Sequence, residues 1–281
     1  MSQEYAAEGR YAAIDVRPAE SPHLLDTMLE GVRLMSEATL LGMSWPCLRR
    51  LGLRQMGAHK PHDTPVMVLP GFMGGDASTM ALRRYLGELG FRAHPWLLGT
   101  NDGTERIQSE LLKRFLRLRQ NYGQPIALVG HSLGGVFARE LARQFPSDVT
   151  QVITLGSPFG ISDSGSVNQL VRVLFERVSG DSVDEKRARM LSHRPAEPVG
   201  VPCTSIFSKR DGVVHWRTCL ERETPVTQNL EVWGSHCGLI ANPSVLHAVV
   251  DRLSLGQNSW VPFEADSGAR VMYPRDQKIY A

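Results

Sequence analysis

Apolar residues along this chain fall into short unbroken runs, separated by longer stretches in which they recur every three or four positions. The runs at 65–70, 91–97, 125–130, 149–155, 202–207 and 230–233 have the length and continuity of strands buried on both faces. Helical periodicity occupies 78–89, 105–120, 133–145 and 242–253, and Gly90 supplies a stop signal after the first of these. Strand and helix alternate, which predicts an α/β fold with a doubly wound, mostly parallel sheet. Ahead of this pattern, Leu25, Met28, Leu29, Val32, Met35 and Leu40 recur at helical spacing with Asp26, Glu30, Arg33 and Glu37 between them. A second basic, apolar helical stretch follows at 46–56.

The pattern divides the chain into an N-terminal arm with amphipathic helices (1–63), an α/β domain (64–254) and a tail expected to wrap the surface (255–281). Within the domain, 161–200 joins two strands by an excursion far longer than a plain connection needs. It carries an apolar helical segment at 167–178 and a charged stretch at 181–189, and so predicts an inserted helical cap. The apolar faces of the N-terminal helices have several open readings, among them a surface that receives an apolar substrate. They pack on the domain, they form a homodimer contact, or they rest on a membrane surface, with Arg49, Arg50 and Arg54 toward anionic lipid.

Composition narrows the function classes. With 281 residues and 42% hydrophobic content the chain can bury one substantial core. A net charge of +2, with no basic tract running through aromatic residues, gives no support for a nucleic-acid partner. The polar, acid-bearing start does not match a signal peptide, and no window has the length of a membrane span, so the expected location is cytoplasmic. Cys47, Cys203, Cys219 and Cys237 lack metal spacing and are expected to be reduced thiols. No metal or organic cofactor is implied.

The chemistry concentrates at Gly130-His131-Ser132-Leu133-Gly134, which follows an apolar strand and opens a helix. That is the context of a nucleophile elbow, in which a sharp turn presents the serine hydroxyl above the sheet. A serine hydroxyl needs an adjacent base, and the base needs an orienting acid. Asp211 stands in the turn after the strand at 202–207, and His236 in the loop after the strand at 230–233. Both therefore belong to the same rim as Ser132. His215 is too near Asp211 in the chain to be the base, His131 is expected to buttress the turn, and His247 reads as structural. Glu221 and Glu223 follow no strand end. An oxyanion hole needs two backbone N–H groups. Leu133 and Phe72 are the expected donors, with Met73 second to Phe72.

These pieces, together with Leu69-Pro70-Gly71-Phe72, Gly156-Ser157-Pro158 and Ser208-Lys209-Arg210-Asp211-Gly212, resemble the α/β-hydrolase superfamily, and within it the bacterial lipase- and esterase-like serine hydrolases. The resemblance spans about 64–253 and departs from many lipases in having Pro70-Gly71 where they carry His-Gly. It implies Ser132 as nucleophile, His236 as base, Asp211 as acid, and Phe72 and Leu133 as oxyanion donors. The implied substrate is an apolar acyl ester, a small molecule or a lipid, lying against Met73, Phe159 and the cap residues Leu170, Val171 and Leu174. The same triad serves thioesters, amides, lactones and acyl transfer, and a non-catalytic relative would bind an apolar ligand. Those alternatives stay open on sequence alone.

Overall fold

A computed structural model describes residues 22, 24–56, 64–160, 197–255 and 259–275. The six strands β1 (Pro65–Leu69), β2 (Arg92–His94), β3 (Ile126–His131), β4 (Val149–Leu155), β5 (Cys203–Phe207) and β6 (Thr227–Glu231) pair in the order β2-β1-β3-β4-β5-β6, every pair parallel. Among the described residues the α-helices are α1 (Leu24–Met56), α2 (Met80–Glu88), α3 (Glu105–Tyr122), α4 (Leu133–Gln144) and α5 (Pro243–Ser254).

Successive side chains of a strand point to opposite faces, and both faces here are covered. Val66, Val68, Ala127, Val129, Ile153 and Ile206 pack with residues of α1, α2 and α5. Met67, Leu69, Leu128 and Val152 pack on the other side with Ile107, Leu111 and Phe115 of α3 and Phe137 and Leu141 of α4. The sheet is doubly wound, as the alternation of runs predicts.

Three elements differ from the sequence pattern. The expected strand 91–97 shortens to Arg92–His94 because Pro95 brings no donor and the next two N–H groups leave the ladder. The Asp76 carboxylate takes those of Trp96 and Leu97, at 2.8 and 3.0 Å. The last strand begins earlier than 230–233, because its polar start is satisfied by side-chain bonds. Asn229, for example, donates to the Glu221 carbonyl at 2.7 Å and accepts the Glu221 N–H at 2.8 Å. The two expected N-terminal helices are one, running straight through Pro46, which is exposed and stands four residues after Gly42.

The orientation of α1 is not given by its apolar spacing. Its inward side presents Glu30, Leu34, Glu37, Leu41, Leu48, Gly52 and Met56, whereas Leu24, Leu25, Met28, Val32, Met35 and Met43 are exposed. The acidic positions between the apolar ones, not the apolar face itself, are what this half of the helix turns toward the domain. The tail is more firmly held than a surface wrap: Phe263 and Tyr273 join the core, and the Tyr273 hydroxyl sits 2.8 Å from His247 Nδ1 and donates to the Ser244 carbonyl at 2.8 Å. Most of the expected cap, 161–196, and with it Leu170, Val171 and Leu174, lies outside the described residues.

Candidate active site

Ser132 joins β3 to α4 with φ 50° and ψ −123°, in the left-handed half of conformational space that L-residues rarely occupy. Two glycines permit the turn. A Cβ on Gly134 would lie 2.5 Å from the Leu69 carbonyl and 2.6 Å from that of Pro70, and one on Gly130 would overlap the backbone of Gly135. The Ser132 N–H donates to the Leu155 carbonyl at 2.8 Å, tying the elbow to β4. Leu133 is the first residue of α4, where a backbone N–H has no partner within the helix.

The loop after β1 carries the other expected oxyanion donor. A buried residue that the sequence pattern does not single out, Asn101, pins this loop. Its side chain donates to the Pro70 carbonyl at 2.9 Å, its N–H to the Gly74 carbonyl at 2.8 Å, and its own carbonyl accepts the Met73 N–H at 2.8 Å. The Met73 N–H is therefore spent on the scaffold, which removes it as the second choice. The Met73 side chain is exposed on a residue with φ 59°.

Asp211 and His236 meet as expected. Asp211 Oδ2 is 2.6 Å from His236 Nδ1, and both side chains are buried. The other oxygen of Asp211 accepts the N–H groups of Val213 and Val214 at 2.9 and 2.8 Å, so the carboxylate is fixed from within its own turn. Gly156, just past β4, lies against both: a Cβ there would be 3.3 Å from Asp211 Oδ2 and 3.3 Å from His236 Nδ1. Burial works against protonation of His236, yet the Asp211 charge and hydrogen bond, with a smaller contribution from Glu30, raise its pKa above the ordinary value.

His131 connects the elbow to the histidine loop. Its Nε2–H donates to the His236 carbonyl at 2.9 Å, and the two rings lie 5.1 Å apart. Burial, then the neighbouring His236, lowers the pKa of His131 to about 4, so this ring is a neutral buttress. His247 and His215 stay out of this contact. The first is buried against Tyr273, and His215 caps a short turn through Arg217. Phe159 follows β4 by four residues. It is buried, and the Arg139 guanidinium covers its ring at 3.9 Å from the centroid. Arg139 also pairs with Glu221 at 2.8 Å, which gives that acid a structural partner below the site.

Comparison with known proteins agrees with this arrangement at the level of fold. A family model described as the alpha/beta hydrolase fold matches residues 65–183, less than half of the chain. Lipase B of Aspergillus fumigatus superposes with a TM-score of 0.53 at 19% identity, over 71% of this chain and 54% of that one. A serine hydrolase from Cycloclasticus zankles gives 0.51 at 13% identity, over 68% of this chain and 90% of that one. No curated protein matches the sequence. The fold is the α/β-hydrolase fold, with the strand–elbow–helix unit inside the matched region and α1 outside it.

Proposed function

We propose that the protein is a carboxylic ester hydrolase acting on apolar acyl substrates through an acyl-enzyme on Ser132. The observation that carries the reading is the buried Asp211–His236 hydrogen bond on the rim where the strained Ser132 elbow stands. Ser132 Oγ attacks the ester carbonyl carbon while its proton passes to His236 Nε2, and the carbonyl electron pair moves onto oxygen. The Phe72 and Leu133 N–H groups hold that oxyanion. Collapse breaks the bond to the leaving alcohol, which takes the proton from Nε2. Water then repeats the sequence on the acyl-enzyme, releasing the acid and restoring the serine hydroxyl. Asp211 accepts the Nδ1–H, keeps the ring in the tautomer that exposes Nε2, and stabilises the imidazolium.

The substrate is met at a lipid surface. Every exposed position of α1 from 24 to 47 is uncharged, and Leu24, Leu25, Met28, Val32, Met35 and Met43 make its outward side apolar. Exposed Arg50 and Arg54 follow on the same side. An anionic bilayer satisfies both parts, burying the apolar ridge and neutralising the arginines. A second copy docked through the same face would set the arginines against uncharged residues.

Rates on ester, thioester and anilide substrates of matched acyl length, for the parental protein and Ser132→Ala, test the chemistry. The ester is expected to be fastest, and Ser132→Ala to be inactive on all three. A Ser132→Ala protein with parental ester hydrolysis would end the proposal.

A further inference from the structure

The polar side of α1 forms a continuous row of bonds to the two loops that carry Asp211 and His236. Thr27 Oγ1 donates to the Gly212 carbonyl at 2.7 Å, and the Gly212 N–H donates to Glu30 Oε1 at 2.8 Å. The same oxygen accepts the N–H of His236 at 2.9 Å, and Glu30 Oε2 accepts that of Cys237 at 3.3 Å. Arg33 donates to the Arg210 carbonyl at 2.8 Å. Two turns on from Glu30, buried Glu37 accepts the N–H and the hydroxyl of Ser235 at 2.7 and 2.6 Å. The fit is close enough to require glycine on the loop side. A Cβ on Gly212 would lie 2.5 Å from the Asp26 backbone, and one on Gly238 would overlap the Glu37 carboxylate.

A carboxylate shared among three backbone donors makes charge-assisted bonds, stronger and more directional than neutral ones. Two of these donors belong to different loops, Gly212 beside the acid and His236 itself, so Glu30 is a strut between them. Displacing a catalytic group by about 1 Å can cost roughly a hundredfold in rate, and this strut holds the separation of acid and base. Its negative charge also stands near the imidazolium that forms when Ser132 gives up its proton.

We infer that Glu30 is a positioning residue for the Asp211–His236 pair, supplied by a helix outside the matched family region, and that Glu37 anchors the same loop behind it. The inference rests on the serine-hydrolase reading above, in which His236 is the base. The raised pKa of His236, to which Glu30 contributes after Asp211, is in keeping with that placement.

The test is the rate at which an alkyl fluorophosphonate labels Ser132 between pH 5 and 9, which needs no knowledge of the natural substrate. Parental protein, Glu30→Gln, Glu30→Ala and a control on α3, Glu110→Gln, which pairs only with Lys113 among the described ion pairs, are compared, with melting temperatures. Glu30→Gln keeps the shape and loses the charge. Its acid limb should move down by a few tenths of a pH unit, about the effect of one partly screened charge. Glu30→Ala should label at least about tenfold more slowly above the limb, for want of the strut. Glu110→Gln should label as the parent does. Unmoved limbs with parental rates in both Glu30 variants would overturn the inference. So would a slower Glu30→Ala protein that melts early beside a Glu30→Gln protein with an unmoved limb, because a purely structural role does that. Failure of the parental protein to label at Ser132 would instead overturn the function on which the inference rests.

Discussion

Glu30 and His236 are 206 residues apart in the chain, and the carboxylate of one accepts the backbone N–H of the other at 2.9 Å. The His236 ring is held separately, through Nδ1, by Asp211 at 2.6 Å. Backbone and ring of the expected base are thus fixed by two different carboxylates, one from α1 and one from the turn after β5.

The pH dependence of ester hydrolysis follows from the ring. His236 accepts a proton only when neutral, and its pKa is raised, so it stays protonated to higher pH than an ordinary histidine. The acid limb of kcat/KM is therefore expected to have its midpoint above about 6.5, the unperturbed value. His131, lowered to about 4, adds no second limb between pH 5 and 8. A midpoint below 6 in a pH–rate profile would contradict the assignment of His236.

Asp211→Asn preserves an acceptor for the Val213 and Val214 amides and removes the charge facing His236. The fold should survive, while kcat falls by roughly 10³–10⁴, the size of effect expected when a triad histidine is left in the wrong tautomer. Steady-state kinetics beside a thermal melt checks both halves.

How much of this was legible in the sequence depended on whether the signal was local. The buried strands, the elbow around Ser132 and the loops of Asp211 and His236 each announce themselves within a few residues, through apolar runs, glycines and turns. The role of α1 does not. Glu30 and Glu37 read as ordinary polar positions on an amphipathic helix. Only the tertiary contact with Gly212, Ser235 and His236 decides that this side faces inward and the apolar side outward. Asn101 is similar, a buried amide 31 residues beyond the Pro70 carbonyl that it holds. The neighbours of Phe159 in sequence likewise do not show that Arg139 of α4, paired with Glu221, covers its ring.

The tail contributes stability rather than chemistry. Tyr273→Phe removes a buried hydroxyl that meets His247 and the Ser244 carbonyl, each at 2.8 Å. A loss of about 1–2 kcal/mol in denaturant unfolding is expected, with kcat and KM unchanged.

Flotation separates the readings of the α1 ridge. The protein should float with vesicles containing phosphatidylserine at physiological salt and much less with phosphatidylcholine alone. Met35→Glu, which places a charge on the exposed ridge, should return it to the soluble fraction. A parental protein that ignores both vesicles and sediments as a dimer, which Met35→Glu dissociates, would assign the ridge to a second copy.

The central claim is a covalent acyl group on Ser132, and intact-protein mass spectrometry during turnover of a nitrophenyl ester measures it directly. The parental chain should gain the mass of one acyl group, located to the peptide containing Ser132, with a burst of about one nitrophenolate per chain. Ser132→Ala should show neither. An acyl group on a different residue, or parental turnover by Ser132→Ala, would contradict the account.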